Sequence, residues 1–311
     1  MSSPFAPRAR HRAGPCPYFD PATIGADPDE YLALSEARYT DIKPHAFKQI
    51  VRADPARKTQ SPISIVYIHG FSATASELSP LPDLVAASLG ANLFFTRLTG
   101  HGRSGDAMAE ASVKAWIEDF AEALAIGERL GEKVVVMACS TGASLATYAM
   151  SLPRFSGRVA AAVFLSPNFG IANRGAFLLT FPFARGMAHL ILGTHMSFKP
   201  ANAAHATLWT TTYPVEALLP MAQLVKLAAR CPVETIATPA FFIQSPSDRI
   251  VRFARTAAVA NRWGGPHRLL DPGPVGDPER HVIAGDALSP DTTAALARVI
   301  VDWLEELPEL R

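Results

Sequence analysis

A β-branched run that breaks abruptly into a small-residue helix start constrains this chain more than any other stretch: Val134-Val135-Val136-Met137-Ala138-Cys139-Ser140-Thr141-Gly142-Ala143-Ser144-Leu145-Ala146. A buried strand followed at once by a helix leaves one residue, Ser140, at a turn too sharp for ordinary backbone geometry. Such a turn survives only if the residues two before and two after are small. Here they are Ala138 and Gly142, so the pattern reads A-x-S-x-G. The turn lifts the Ser140 hydroxyl clear of a sheet, places the Thr141 amide beside it, and adds the positive potential of a helix N-terminus. An N-cap serine is the competing reading of Ser140, but capping alone does not require these flanking residues. Centring the turn on Cys139 instead would put Met137 and Thr141 at the positions that must be small, so Cys139 reads as a buried, inert thiol.

The pieces around this run alternate between strand and helix. Ile63–Ile68 and Ala91–Thr96 read as strands, with a helix over Thr74–Leu89 between them. Ser112 caps an amphipathic helix carrying Val113, Trp116, Ile117, Phe120 and Leu124 on one side and ending near Gly131. Further strands are predicted at Val159–Leu165, Ala240–Gln244 and His267–Leu270. A last helix runs from Pro290 to Leu307, with Pro308 just past its end. Before the core come a helix over Asp27–Tyr39 and a short strand over Phe47–Val51. Alternation of this kind implies an α/β fold with a mostly parallel central sheet flanked by helices.

Four further motifs stand at the ends of these predicted strands: His69-Gly70-Phe71, Gly100-His101-Gly102-Arg103-Ser104, Asp248 after Ala240–Gln244, and His281 in a late loop. Together with Ser140 they make the sequence resemble the α/β-hydrolase superfamily, in particular its lidded carboxylesterase and monoglyceride-lipase-like serine hydrolases, over roughly residues 60 to 305. The chain order Ser, Asp, His is that superfamily's order. The resemblance implies Ser140 as nucleophile, His281 as base and Asp248 as the acid that orients it. It also implies an oxyanion hole formed by the amides of Thr141 and Phe71, the latter in the family's H-G-x element. A serine hydroxyl is nearly inert at neutral pH, which is why it needs both partners. His267 is the alternative base, and Asp271, Asp277 and Asp286 are the acids nearest His281 in sequence.

The chain divides on this reading into an N-terminal arm, helix and leading strand (1–59), a core (60–168 and 236–311) and a helical lid or cap (169–235). The cap region is rich in aromatic residues without a sheet period, among them Phe169, Phe177, Phe181, Trp209 and Tyr213. With Phe71, the first three are expected to contact substrate, since open α/β sheets bind ligands at the carboxyl ends of their strands. A homodimer surface is the other reading of these aromatics.

Composition limits the function classes. With 29 basic and 28 acidic residues the net charge is +1, which lacks the electrostatic footprint of a nucleic-acid binder. At 49% hydrophobic and 18% charged the chain has ample apolar surface to bury. The partner expected is a small-molecule ester. Gly100-His101-Gly102-Arg103-Ser104-Gly105 satisfies G-x-G-x-x-G, but no helix opens at these glycines and no acid follows the next strand, so a nicotinamide or flavin reading fails on context. His189, His195 and His205 lack metal-ligand spacing, and no cofactor or metal is implied. Cys16, Cys139 and Cys231 are scattered without a disulfide framework, consistent with a cytoplasmic protein. Residues 1–18 hold Arg8, Arg10, His11 and Arg12 but no apolar h-region; a solvated basic arm is the first reading and a transit peptide the second. Gly175–Leu192 is apolar but interrupted by Pro182, Arg185 and His189, so no stable membrane insertion is expected.

A serine hydrolase acting on carboxylic esters of medium-chain acyl, monoacylglycerol-like or aryl type is the expectation. An amidase, thioesterase or acyltransferase would use the same residues, and a non-catalytic binding protein could keep the fold.

Overall fold

The computed structural model describes residues 19–173, 175, 179–181 and 183–311. The basic arm, Cys16 and Phe177 lie outside the described residues. In chain order the elements are α1 (Pro28–Glu36), β1 (Gln49–Val51), β2 (Ser61–Ile68), α2 (Leu81–Leu89), β3 (Asn92–Phe95), α3 (Val113–Leu130), β4 (Gly131–Cys139), α4 (Thr141–Met150) and β5 (Ala161–Leu165). Then follow α5 (Ala184–Leu192), β6 (His195–Ser197), α6 (Ala203–Leu208), β7 (Thr212–Pro214), α7 (Leu218–Arg230), β8 (Ala240–Ile243), α8 (Phe253–Ala260), β9 (His267–Leu270) and α9 (Pro290–Glu306).

Seven strands form one sheet in the order β1-β3-β2-β4-β5-β8-β9. Every pairing is parallel except that of β1 with β3. Both faces are covered, so the central strands read as continuous apolar runs. Their two-residue period sorts the side chains. Val66, Val134, Val136, Ala138, Phe164 and Phe242 share one core with residues of α3, α4 and α7. Ile65, Tyr67, Val135, Met137, Cys139, Leu165 and Ile243 share the other with residues of α2 and α9.

Local chemistry sets most helix starts. Asp27 caps α1 by accepting from the Asp29 amide, and Ser112 caps α3 by accepting from the Ala115 amide at 3.1 Å. The helix expected over Thr74–Leu89 is divided: a 3-10 turn covers Ala75–Leu78 and α2 begins only at Leu81. Pro80 and Pro82 lack the amide protons that a continuous helix would use, and they fit only at its first turn. Residues between β5 and β8 include α5, α6 and α7 together with the antiparallel pair β6 and β7. Among the described residues no helix is long and apolar enough to cross a membrane.

The β5 side of the sheet is packed by aromatic edges. Phe164, fully buried, lies 5.2 Å from the Phe242 ring and 5.7 Å from the Trp263 ring, measured between centroids. Phe164→Ala should lower stability by about 3–5 kcal/mol, because the rings around it cannot close the cavity. Urea denaturation of the two proteins measures the loss; a change below 1 kcal/mol would mean that this core collapses freely.

Candidate active site

The turn at Ser140 has φ 50° and ψ −115°, a left-hand φ that a non-glycine residue adopts only under constraint. The constraint comes from both sides. Its amide donates to the Leu165 carbonyl at the end of β5 (2.9 Å), and its own carbonyl accepts from the amides of Ala143 (3.1 Å) and Asn168 (3.1 Å). Gly142 must be glycine: a Cβ there would sit 2.4 Å from the Ile68 carbonyl oxygen and 2.6 Å from that of His69. Ala138, at the other small position, is buried and in register with Ile68 and Phe164, so its methyl fits within the sheet layer.

Three loops at the same edge of the sheet bring the predicted residues together. His281 Nε2 lies 2.9 Å from Ser140 Oγ, and His281 Nδ1 lies 2.8 Å from Asp248 Oδ2. A carboxylate can only accept, so Nδ1 carries the proton and Nε2 is left to accept from the serine hydroxyl. The Asp248 side chain is fully buried, and its oxygens receive three further donors: the amides of Ile250 (2.8 Å) and Val251 (2.9 Å) and the Gln244 side chain (3.2 Å). Burial works to lower the His281 pKa, but the Asp248 carboxylate outweighs it, aided by Asp277 and Glu77, and the net shift is upward from 6.5.

The other acids near His281 do different work. Asp277 Oδ2 accepts from the amides of His281 (2.9 Å) and Val282 (2.8 Å), fixing the loop rather than the ring. Asp271 accepts from the Gly273 amide, and Asp286 is exposed. Ser166, also at positive φ, donates its hydroxyl to the His281 carbonyl at 2.6 Å. His267 sits at the start of β9, 3.0 Å from the Gly265 carbonyl and away from this edge. Cys139 is buried with its thiol pKa pushed up, first by burial and then by Glu77.

Gly70 packs directly against Ser140: a Cβ on Gly70 would lie 3.2 Å from Ser140 Cβ. The Phe71 peptide therefore runs beside the serine. Among the described residues neither the Phe71 amide nor the Thr141 amide has an acceptor, the latter because it is the first residue of α4. His69 is occupied by backbone: its Nε2 accepts from the Leu98 amide (3.1 Å), so Nδ1–H donates to the Gly70 carbonyl (2.9 Å). Burial pulls its pKa down to about 4, keeping the ring neutral. Phe71 meets Tyr213 edge to face at 5.3 Å and His101 at 5.7 Å. Phe169 is buried in the core, and Phe181 is 54% exposed.

Residues 65–305 match the Alpha/beta hydrolase family. The chain belongs to that family. Its sheet order, turn and loop positions are those expected of an α/β-hydrolase. A lipolytic enzyme derived from a metagenome, of the LipS and LipT pair, superposes with a TM-score of 0.69 at 20% identity, over 85% of this chain and 100% of that one. A soluble variant of the monoglyceride lipase of Saccharomyces cerevisiae, in complex with a substrate analog, gives 0.61 at 10% identity over 87% and 97%. The monoacylglycerol lipase of Paleococcus ferrophilus gives 0.60 at 13% identity over 83% and 97%. These identities show a shared fold. No curated protein sequence matches the chain.

One residue at the site escapes sequence reasoning. Glu77, only 3% exposed, lies beneath the H-G-F loop, where its Oε1 accepts from the Gly70 amide (2.7 Å) and the Tyr67 hydroxyl (2.9 Å). The only sequence signal is a lone acid among residues that must be buried, from Ala73 to Leu81. Burial raises its pKa from 4.5 to about 7, against the opposing pull of the Gly70, Tyr67 and Cys139 hydrogen bonds and the His281 charge. Folded protein thus holds a proton that the unfolded chain releases near 4.5. The stabilising effect of that proton is complete below about 4.5 and is lost as pH rises through about 7. Glu77→Gln keeps an accepting oxygen and removes the titration. The urea midpoint of the wild type should fall relative to that of the variant between pH 5 and pH 8, by an amount equivalent to up to about 3 kcal/mol. Parallel profiles would show that the Glu77 carboxyl ionises alike in both states.

Proposed function

We propose that this α/β-hydrolase is a serine esterase, which cleaves carboxylic esters through an acyl-enzyme. The observation that carries the reading is the continuous line Ser140 Oγ, His281 Nε2, His281 Nδ1, Asp248 Oδ2, with contacts of 2.9 and 2.8 Å, at a serine held in strained geometry. A fold alone would not specify an activity; a polarised serine at this turn supports acyl transfer by its chemistry.

In the proposed reaction His281 Nε2 takes the Ser140 proton as Oγ attacks the ester carbonyl. The resulting oxyanion receives the Thr141 and Phe71 amides, which have no other acceptor among the described residues. The imidazolium formed at His281 faces the Asp248 carboxylate, then returns its proton to the leaving alcohol. A water molecule activated by the same nitrogen releases the acid in the second half. Backbone donors need no reorganisation when charge develops, and Glu77 keeps the loop that presents Phe71 in place through the Gly70 amide.

We infer further that residues 169–235 form a cap over this chemistry. The Thr210 amide donates to the Ser72 carbonyl at 2.7 Å, and the Thr212 carbonyl oxygen would lie 2.2 Å from a Cβ on Gly105, so the chain there lies directly on the loops around the serine. With Tyr213 against Phe71, that cover is aromatic, which suits a medium-chain acyl, monoacylglycerol-like or aryl ester. The lipases among the structural neighbours support the same class.

Ser140→Ala should lose about 10³-fold or more of kcat on a p-nitrophenyl ester while retaining its thermal midpoint, as measured by steady-state kinetics and thermal unfolding. Undiminished turnover would sink the nucleophile assignment. Since neutral His281 is the base and its pKa is raised, kcat/KM should be lost as pH falls, along a limb centred above 6.5. Asp248→Asn removes the raising charge, so its residual activity should show this limb displaced to lower pH, with kcat down about 10⁴-fold. An unmoved limb would mean that another group controls the profile.

A further inference from the structure

A groove of about 560 Å³ opens between α7, the start of α8 and the segment that follows Asn168. Among the described residues four cations line it: Lys226 and Arg230 from α7, Arg252 and Arg255 from the chain leading through α8. Among the described residues no carboxylate lines it. Elsewhere the arginines of this near-neutral chain are commonly paired with acids, as in Arg52–Asp29, Arg97–Glu36, Arg103–Asp41, Arg158–Glu128 and Arg262–Glu234. The four groove cations have no ion pair among the described residues, and all four are exposed.

The sequence explains the imbalance. No Asp or Glu occurs between Glu132 and Glu216, none between Glu216 and Glu234, and none between Asp248 and Asp271. All three walls of the groove come from these acid-free stretches. Like charges gathered in one concavity repel one another and focus a positive potential there, and an anion relieves both effects.

The groove is built on fixed backbone. Ile171 bridges Val251, the Ala172 amide donates to the Ile250 carbonyl (2.9 Å), and the Arg252 amide donates to the Gly170 carbonyl (2.8 Å). Arg255 lays its aliphatic stem over Gly170, where a Cβ would approach within 2.7 Å of Cγ. The segments that form these walls are continuous in sequence with those that form the site. Asp248 lies four residues before Arg252, and Asn168, whose amide donates to the Ser140 carbonyl, immediately precedes the lining residue Phe169. On the α7 side Met221, adjacent to the lining residue Ala222, touches the Asn168 side chain at 4.0 Å.

We propose that this groove binds the phosphate-bearing end of a small-molecule substrate whose alcohol or thiol half is phosphorylated. Guanidinium and ammonium groups converging without acids suit phosphate oxygens, which accept several charge-assisted hydrogen bonds at once. The groove's size fits a phosphorylated small molecule, and Phe169 and Ile171 give it an apolar floor. Its use in turnover rests on the serine-hydrolase reading; its binding of phosphate does not. With a thioester of this kind, Ser140 Oγ forms the new acyl bond and the carbonyl–sulfur bond breaks. The serine proton passes through His281 to the leaving thiolate, and water then releases the acid.

Two measurements separate these readings. Calorimetric titration of Ser140→Ala with inorganic pyrophosphate reads the groove without turnover. Kinetics with butyryl-coenzyme A and with S-ethyl thiobutyrate compare the same acyl group with and without phosphate. Pyrophosphate should bind, more weakly as salt rises. Adding Lys226→Gln and Arg255→Gln should reduce that affinity at least tenfold. In the active protein the same pair should raise KM for butyryl-coenzyme A at least tenfold, leave S-ethyl thiobutyrate unchanged, and be rescued by Lys226→Arg with Arg255→Lys. Absence of pyrophosphate binding overturns the proposal, as does an equal effect of the pair on both thioesters. Binding to phosphatidylglycerol vesicles without pyrophosphate binding also overturns it, in favour of a lipid surface. Loss of hydrolysis of every substrate with pyrophosphate binding intact would instead sink the esterase reading and leave the groove standing.

Discussion

The backbone at Ser140 sits in a conformation that costs on the order of 1–3 kcal/mol, and much of the surrounding structure exists to hold it there. Leu165 at the end of β5 accepts its amide, Asn168 donates to its carbonyl, and Gly142 lets α4 pass so close to β2 that no other residue fits. Removing any one of these would let the turn relax and swing the hydroxyl away from His281. The parallel sheet matters to the site because it sets β2, β4 and β5 side by side, so that their carboxyl ends deliver Gly70, Ser140 and Ser166 to one place.

Around this turn, buried polar groups divide the labour. Asp248 spends one oxygen on two amides of its own loop and turns the other toward His281 and Gln244. Asp277 spends its carboxylate on the backbone that carries His281, and Ser166 fixes the same loop from beneath. Glu77 does for the Gly70 loop what Asp277 does for the histidine loop, from inside the α2 and α9 face of the core. Three acids within one site therefore serve two functions: Asp248 meets an imidazole, while Asp277 and Glu77 accept from peptide N–H groups and fix loops. The cost of burying them is offset because each has its hydrogen-bond partners.

Charge is distributed unevenly over the molecule despite its near-neutral total. Acids and bases alternate and pair around α1, β1 and α3, where Lys48 meets Glu122 and Arg97 meets Glu36. Across the half of the chain that runs from α4 to β9, acids are almost absent. The result is a protein whose α1, β1 and α3 side is internally neutralised and whose α7 and α8 side presents exposed cations.

Sequence alone determined the α/β alternation, the strands of the parallel sheet from Ile63 to Leu270 and the turn at Ser140, though not the β6 and β7 pair, because each rests on neighbours within a few residues: β-branched runs, capping residues, small residues at fixed offsets. It also named His281 and Asp248 as the histidine and the acid by their places after late strands, ahead of Asp271, Asp277 and Asp286. Asp277 lies four residues from His281 yet bonds its amide, while Asp248, thirty-three residues away, meets its ring. The helix expected over Thr74–Leu89 failed at Pro80, where periodicity had outweighed a missing amide. Glu77 and Ser166 were invisible because their partners, Gly70, Tyr67 and His281, are joined to them by strand packing and not by spacing. The cationic groove was likewise beyond reach: the acid-free stretches are plain in the sequence, but only packing of α7 against α4 and the pairing of Ile171 with Val251 bring Lys226, Arg230, Arg252 and Arg255 to one cavity. Local rules fix what each segment becomes; convergence of distant side chains is decided by burial of the two sheet faces, which no segment can accomplish alone.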